Sequence, residues 1–341
     1  MRYEADVLPG LEEFAASELS RLPEATVHES GPGKVTLAFA GPERKLLGLR
    51  SVVGVYRVVG FPVPRPKALL GDQHLRKLLA EIASVRALHP EKSFRSLRLS
   101  MAGEDSPVVL RLKEELTIAT GLALDAGKID DADLLLRLRR GAGGWEALLS
   151  LTPRPLSTRS WRVADMPGAL NATLAHAMAR LTEPKPIDRF YNICCGSATL
   201  LVERAEVRGA LSLDGGDTNP YALECARKNV EASGVSDRIA LHDADATDLP
   251  YPESFFDAVV GDLPFGQRIG SHQENVALYP KLLAEAARVL KPGGKLVLLT
   301  HEVKLFEDAF DALGEKLEPV RSIKVSVGGM NPRVYLASKP C

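Results

Sequence analysis

The sequence has few cysteines and lacks the features of membrane and secreted proteins. Its four cysteines among 341 residues form no Cys-x-x-Cys pair and have no accompanying His-x-x-His pair, which argues against a zinc site. No apolar run approaches the roughly 20 residues that span a bilayer, and the N-terminal residues MRYEADVLPGLEEF contain no apolar core of a signal peptide. We therefore expect a monomeric cytoplasmic protein with reduced thiols, no metal and no membrane partner.

Net charge is also small, at −1, but the charges are unevenly distributed. Residues 1–165 carry 24 basic and 21 acidic side chains, whereas residues 166–341 carry 19 and 23. Residues 50–103 alone hold ten basic side chains and three acidic ones. This division is typical of a protein whose first half binds an anionic polymer, although scattered surface arginines are an alternative. The arginines expected to contact RNA are Arg95, Arg98, Arg159, Arg162 and Arg268.

The first 155 residues mix helical and strand patterns, which indicates an α+β region. Helical periodicity is present at residues 11–22, 75–88 and 108–124, the last with a stop expected near Gly127. Alternation typical of strands is present at residues 34–40 and 93–101, and as a hairpin at 133–140 and 144–152. Three closely spaced prolines after residue 60 suggest a subdomain edge there.

From Pro186 onward, short apolar strands alternate with helices, the pattern of a doubly wound parallel sheet. Five strands are predicted, at residues 188–193, 210–215, 238–243, 256–262 and 295–300. An antiparallel hairpin is expected within residues 322–337, and a helix over 169–182 within the linker between the halves. The predicted fold class is α/β with an N-terminal α+β region, and the predicted segments are 1–60, 61–155, 156–185 and 186–341.

Small and acidic residues follow the first three of these strands. Because the carboxyl ends of parallel strands meet at one edge of a sheet, we expect these residues to converge on a ligand. Asp217 is placed to accept hydrogen bonds from ribose hydroxyls, and Asp245 from an adenine amine. Asp217 could instead cap the next helix, but Asn219, directly before Pro220, fits that role better. The first turn lacks the Gly-x-Gly-x-x-Gly pattern of dinucleotide oxidoreductases.

The fourth strand ends in Asp262-Leu263-Pro264-Phe265-Gly266, which resembles the Asp/Asn-Pro-Pro-Tyr/Phe tetrapeptide of amino-methyltransferases. A carboxylate and a backbone carbonyl can accept both N–H groups of an exocyclic amine and turn its lone pair toward a methyl donor. An aromatic ring two residues on can stack on the target base. The expected catalytic residues are Asp262, Leu263, Pro264 and Phe265. The expected cofactor-binding residues are Cys195, Gly196, Ser197, Thr199, Asp217, Thr218, Asn219, Asp245, Ala246 and Asp262.

Nearly the whole chain resembles the THUMP-domain tRNA methyltransferases. The resemblance is carried in the first half by LPGLEEFAASEL, GVYRVV, SFRSLRL and LTPRPLSTRSWR, and in the second by the strand ends. It implies a class I Rossmann-fold domain that uses S-adenosylmethionine, and ferredoxin-like and THUMP regions that hold the 3′ end of tRNA. The branch it resembles most makes N2-methylguanosine at guanosine 6 of the acceptor stem. Two departures are Leu263 in place of the first proline and Ala198 in place of the second glycine.

Three alternatives remain open at this point. The enzyme could methylate N2 of another tRNA guanosine, such as position 10, or an amine of a different RNA or of a protein. The chain could also be an RNA-binding scaffold without catalysis. The basic first half disfavours a protein substrate, and the intact Asp217, Asp245, Asp262 and Phe265 disfavour a scaffold.

Overall fold

The computed structural model describes residues 1–125, 132–265 and 271–341 of the chain. The described residues form two compact units: Met1–Val7 with Glu12–Thr158, and Leu8–Leu11 with Arg159–Cys341. The short segment Leu8–Leu11 belongs to the second unit, where Ser326 N donates to Pro9 O at 2.9 Å. The proposed finer division of the first half near residue 60 stays a prediction.

The described residues of the first unit form one mixed sheet with three helices. Its strands are β1 (Arg2–Asp6), β2 (Ala25–Gly31), β3 (Lys34–Phe39), β4 (Gly54–Phe61), β5 (Ser96–Ser100), β6 (Ala123–Leu124), β7 (Leu134–Gly141) and β8 (Gly144–Ser150). Its helices are α1 (Glu12–Leu19), α2 (Asp72–Arg86) and α3 (Pro107–Thr120), with short 3-10 turns at Glu43–Gly48 and Pro66–Leu70. The strand order is β2-β3-β1-β4-β8-β7-β5-β6. Strands from both sides of residue 60 therefore share one sheet.

Helix α3 ends earlier than the sequence pattern predicted. Gly121 adopts a left-handed conformation with φ of +69°, and its N–H bonds to Thr117 O, which terminates the helix at Thr120. The predicted stop near Gly127 was therefore wrong, and Gly127 itself lies outside the described residues. The predicted β7–β8 hairpin is confirmed, with Leu136 opposite Leu149.

The second unit is a seven-stranded sheet flanked by helices. Its strands are β9 (Arg189–Ile193), β10 (Ser212–Asp217), β11 (Ile239–Asp243), β12 (Phe256–Asp262), β13 (Leu290–Thr300), β14 (Glu318–Lys324) and β15 (Arg333–Ser338). Its helices are α4 (Ala172–Leu181), α5 (Thr199–Val207), α6 (Pro220–Ser233), α7 (His272–Val289) and α8 (Val303–Asp311), with 3-10 turns at Ser236–Arg238 and Gly314–Lys316. The order is β11-β10-β9-β12-β13-β15-β14, and among these strands β15 alone runs in the opposite direction to the other six. All five predicted strands and the closing hairpin are confirmed.

The centre of this sheet determines where a ligand can bind. Strands β9 and β12 are buried on both faces, and Gly261 lets them pack closely, since a Cβ there would lie 2.7 Å from Ile193 O. The strand order reverses between β9 and β12, which opens a crevice at their carboxyl ends. Among the described helices, none combines the length and the apolar character needed to cross a membrane.

Candidate functional site

A cavity of about 630 Å³ lies at the carboxyl ends of β9, β10, β11 and β12. This is the position at which open α/β sheets bind ligands. Every residue predicted from the sequence to bind a cofactor or to act in catalysis lines its wall. The wall also includes residues that were not predicted to bind the cofactor or to act in catalysis: Arg162, Met166, Asn171, Asn192, Cys194 and Met330. Within the described part of the chain, no group of three or more His, Cys, Asp or Glu residues is arranged to hold a metal ion.

The turn after β9 has a tightly constrained backbone. Gly196 and Ala198 have φ values of +53° and +63°, in the left-handed region that favours glycine. Ala198 N donates to Cys195 O at 2.9 Å, and Asn229 Nδ2 donates to Ser197 O at 3.2 Å. Ala198, which stands where the resembled family has the second glycine of the cofactor loop, thus keeps the left-handed conformation at some cost in backbone strain.

Asp217 and Asn219 have different roles at the end of β10: Asn219 caps a helix, and Asp217 lines the cavity. Asn219 Oδ1 accepts from Tyr221 N at 3.0 Å and caps α6, as predicted. Asp217 accepts from Gly196 N at 2.8 Å through Oδ2 and from Asn219 N at 2.9 Å through Oδ1. Each carboxylate oxygen can accept a further hydrogen bond, so Asp217 is fixed in place and still able to bind hydroxyl groups.

Asp245 lies at the next strand end and is exposed. Its Oδ1 accepts from both the backbone N and the Oγ1 of Thr247, each at 2.8 Å. These hydrogen bonds lower the pKa of Asp245 below its usual value. Asp245 therefore stays ionised at neutral pH and has its second oxygen available to accept from an amine.

Asp262 has the opposite electrostatic environment. Its Oδ1 is buried and has no hydrogen-bond partner among the described residues. Burial raises the pKa of Asp262 to about 8. A buried acceptor without a donor is unfavourable unless a ligand supplies one. This carboxyl group is therefore a part of the cavity wall that requires a hydrogen-bond donor.

The residues after Asp262 are held from two sides. Leu263 is buried, and its N–H donates to Leu299 O at 2.9 Å. Pro264 O accepts from Asn275 Nδ2 at 2.8 Å and from Tyr279 Oη at 2.9 Å. Asn275 and Tyr279 were not indicated by the sequence motifs. The available signal was a polar pair four residues apart on the buried stripe of α7.

Phe265 is half-buried and packs against His301, which directly follows β13. The two rings meet edge to face, with centroids 6.1 Å apart. The aromatic residue of the tetrapeptide thus belongs to the same strand-end cluster as Asp262, and His301 is a neighbour that the motif did not reveal.

Two of the arginines expected to contact RNA have other surroundings. Arg159 is buried, and its Nε lies 2.8 Å from Glu203 Oε1. This burial and ion pair do not support a contact with RNA, and the RNA-binding role of Arg159 stays a prediction. Arg162 lines the cavity, and its Nη2 donates to Thr199 Oγ1 at 2.7 Å. Arg162 is thus part of the cavity wall, and Arg268 lies outside the described residues.

The basic stretch of the first unit contains both structural and exposed cations. Arg57 is 2% exposed and pairs with Glu43 and Glu81, so it is part of the interior. Arg98 is half-buried, with Nη2 4.0 Å from Glu104 Oε2. The exposed cations of the stretch include Arg65, Lys67, Lys92 and Arg95. Of these, only Arg95 forms an ion pair within the described residues, with its Nε 3.5 Å from Asp133 Oδ2.

The fold and the cavity define the class of the second unit. Five parallel strands, a closing antiparallel hairpin and acidic strand ends around one cavity are the features of a class I Rossmann-fold methyltransferase domain. The crystal structure of TrmN from Thermus thermophilus has a TM-score of 0.74 to this chain at 27% identity, and the match covers 99% of each chain.

The family follows from the sequence comparisons. Residues 159–332 match the UPF0020 family, described as RMKL-like, methyltransferase domain. A protein of Thermus thermophilus, named tRNA (guanine(6)-N2)-methyltransferase, is 33% identical over 99% of this chain and 100% of its own length. The chain therefore belongs to the RMKL-like methyltransferase family.

A mammalian relative matches about half of the chain. The mouse protein named tRNA (guanine(6)-N(2))-methyltransferase THUMP3 is 35% identical over 185 residues. That match covers 51% of this chain and 37% of the mouse protein, so it spans little more than a third of the mammalian relative's length.

Proposed function

We propose that this protein transfers the methyl group of S-adenosylmethionine to the N2 amine of a tRNA guanosine, at position 6 of the acceptor stem. The observation that carries the proposal is the buried, unpartnered Oδ1 of Asp262 in the wall of the cavity. An amine N–H is the donor that this oxygen lacks. The names of the full-length Thermus relative and of the mouse relative support guanine N2 and position 6.

The cavity fits S-adenosylmethionine. Asp217 is held by two backbone N–H groups and would bind the ribose hydroxyls, and Asp245 would accept from the adenine amine. Gly196 has no Cβ and lets the backbone of the first turn approach the ligand. When bound, S-adenosylmethionine supplies a methyl group activated by a sulfonium centre.

Arg162 would bind the carboxylate of the cofactor's methionine portion. Its Nη2 is held by Thr199 Oγ1 and Leu170 O, while its Nε is buried without a partner among the described residues. Burial lowers the pKa of Arg162, and no carboxylate within the described residues forms an ion pair with it. An anionic ligand group would relieve this unfavourable burial of a charge.

The tetrapeptide would orient the guanine amine. Asp262 and the Leu263 carbonyl would accept its two N–H groups, and Phe265 would stack on the base. In this orientation the amine lone pair points away from its acceptors, toward the methyl group. Asp262, with its pKa raised to about 8, is also placed to hold the proton that the methylated amine releases.

The cofactor assignment predicts a specific loss in an Asp217→Asn variant. In this variant a side-chain NH2 group replaces one of the two carboxylate oxygens. That NH2 group would face the N–H of Gly196 or Asn219, which is also a donor, and one acceptor for the ribose hydroxyls would be lost. We expect S-adenosylmethionine to bind at least about tenfold more weakly by calorimetry. The control is Asp214→Asn on the same strand, which lies outside the cavity wall and should bind normally. Equal affinity in both variants would contradict this placement of the cofactor.

The proposed target position can be tested by changing one group of the RNA. Inosine has no 2-amino group, so a tRNA with inosine at position 6 lacks only the proposed acceptor. We expect methylation to disappear in this tRNA and to persist when inosine replaces another acceptor-stem guanosine. Methylation that survives inosine at position 6 would reassign the target, for example to position 10.

A further inference from the structure

Helix α7 presents two buried polar side chains on one face. Asn275 and Tyr279 are four residues apart, so they lie on successive turns of the helix. The stripe to which they belong is otherwise apolar, with Leu282, Leu283 and Ala286. Buried polar groups are unfavourable unless hydrogen-bonded, and both side chains donate to the same atom, Pro264 O.

The end of β13 fixes the direction of one of these hydrogen bonds. Tyr279 Oη lies 2.8 Å from Thr300 Oγ1, and Thr300 Oγ1 accepts from Glu302 N at 2.9 Å. A tyrosine hydroxyl has a single proton. Because Tyr279 donates that proton to Pro264 O, it accepts from the hydroxyl of Thr300.

These contacts distinguish two neighbouring carbonyl groups. Pro264 O is occupied by two donors, whereas no described residue donates to the carbonyl oxygen of Leu263. The Pro264 carbonyl is therefore held against α7, and the Leu263 carbonyl stays available to a ligand amine. Leu263 N is already held by Leu299 O, but the Pro264–Phe265 peptide group has no backbone hydrogen bond among the described residues, so the two side-chain donors fix its orientation.

We propose that Asn275 and Tyr279 are positioning residues for methyl transfer. By holding Pro264 O they keep Asp262 and the Leu263 carbonyl in the relative orientation that accepts both N–H groups of the amine. They act through the backbone and touch neither the base nor the cofactor. This inference rests on the proposed function, because it assigns the geometry of the same acceptor pair.

Tyr279→Phe removes one oxygen atom and is the primary test. We expect kcat to fall about tenfold, because a lost hydrogen bond loosens the acceptor geometry in the transition state. The KM for tRNA and the affinity for S-adenosylmethionine should stay within about twofold, since neither ligand contacts Tyr279. Asn275→Ala should have a similar effect. The double variant should lose less than the product of the two losses, because both donors act on one oxygen.

Tyr191→Phe is the matched control. Tyr191 is also a fully buried tyrosine of the second unit, but its hydroxyl has no hydrogen-bond partner among the described residues. Removing that hydroxyl should leave kcat unchanged, so a general effect of deleting a buried hydroxyl can be separated from the loss of the contact to Pro264.

Amide hydrogen exchange tests the same inference without substrate. In the ligand-free protein, the peptide spanning residues 260–265 should exchange faster in Tyr279→Phe than in the wild type, and at the wild-type rate in Tyr191→Phe. If Tyr279→Phe changes neither kcat nor this exchange, the inference is overturned. If exchange responds as expected but the wild type makes no N2-methylguanosine, the contact to Pro264 stands and the proposed function fails.

Discussion

Asp262→Ala is expected to lower single-turnover methyl transfer at least about a thousandfold. The variant loses the acceptor that orients the guanine amine and the group placed to hold its proton. Its affinity for tRNA should change little, because phosphate contacts supply most of the binding free energy for nucleic acids. The measurement is a rapid-quench assay with enzyme in excess over tRNA, together with a binding titration.

Asp257→Asn is the control for that loss. Asp257 lies near the start of the same strand, where it pairs with Lys291, and it is outside the cavity wall. Its variant should be less stable but should turn over at the wild-type rate. A near-normal single-turnover rate in Asp262→Ala would rule out the proposed role of this carboxylate.

The pKa of Asp262 gives the expected pH dependence a definite sign. The carboxyl must be ionised to take up the proton that the methylated amine releases, and burial raises its pKa to about 8 in the ligand-free protein. The wild-type kcat/KM for tRNA at low cofactor concentration should therefore rise with pH up to about 8. The positive charge of a bound sulfonium favours the carboxylate, so the rise in kcat should occur at lower pH. Asp262→Asn cannot ionise and should lack this rise.

The coupling between proton binding and folding predicts how the stability of Asp262→Asn depends on pH. The pKa of Asp262 in the folded state lies above its unfolded value of about 4. The free energy of unfolding of the wild type should therefore fall as pH rises from about 4 toward 8. Asp262→Asn avoids this loss. Its free energy of unfolding should exceed that of the wild type by a margin that grows between pH 5 and pH 8.

Removing the first unit is expected to abolish tRNA methylation while preserving cofactor binding. The fragment should begin at Thr158 and not at Met166, because Val163 N and Ala164 N donate to the buried Asn229 and support the second unit. All residues of the cavity wall lie within this fragment. We expect S-adenosylmethionine affinity within a few-fold of the full chain, and tRNA affinity lower by at least about 100-fold.

Replacing exposed cations in the full chain tests whether the charge of the first unit contributes to tRNA binding while its fold is kept. Arg65, Lys67 and Lys92 are exposed and form no ion pair among the described residues, so replacing all three by alanine should weaken tRNA binding and reduce its salt dependence. Arg76→Ala is the control, because Arg76 already pairs with Asp72.

The full chain should also methylate tRNA that lacks its single-stranded 3′ end less efficiently than intact tRNA. Equal methylation of trimmed and intact tRNA would contradict a measuring role for the first unit.

The strand-end residues could be predicted from the sequence because their position depends on local pattern. Asp217, Asp245 and Asp262 each end a short apolar strand, and parallel strands bring their carboxyl ends to one edge. Asn219 could be recognised as a helix cap for the same reason, since the cap position is a property of the residues next to it.

The contacts between distant segments could not be predicted in this way. Arg159 was expected to contact RNA because it lies in the basic first half, whereas in the structure it is buried and paired with Glu203, 44 residues away. Asn275 and Tyr279 lie outside the strand-end motifs, and only the folded chain brings both side chains to Pro264 O, which is 11 and 15 residues away in sequence. The stop of α3 was misplaced because the apolar residues after Gly121 continued the helical pattern.

The identity of the methylated nucleoside tests the central proposal most directly. Purified full-length protein is incubated with unmodified tRNA and S-adenosylmethionine that carries a deuterated methyl group, and the RNA is digested to nucleosides for mass spectrometry. We expect labelled N2-methylguanosine in the wild-type reaction and none with Asp262→Ala. A label in any other nucleoside, or no label despite measured binding of the cofactor and tRNA, would contradict the proposal.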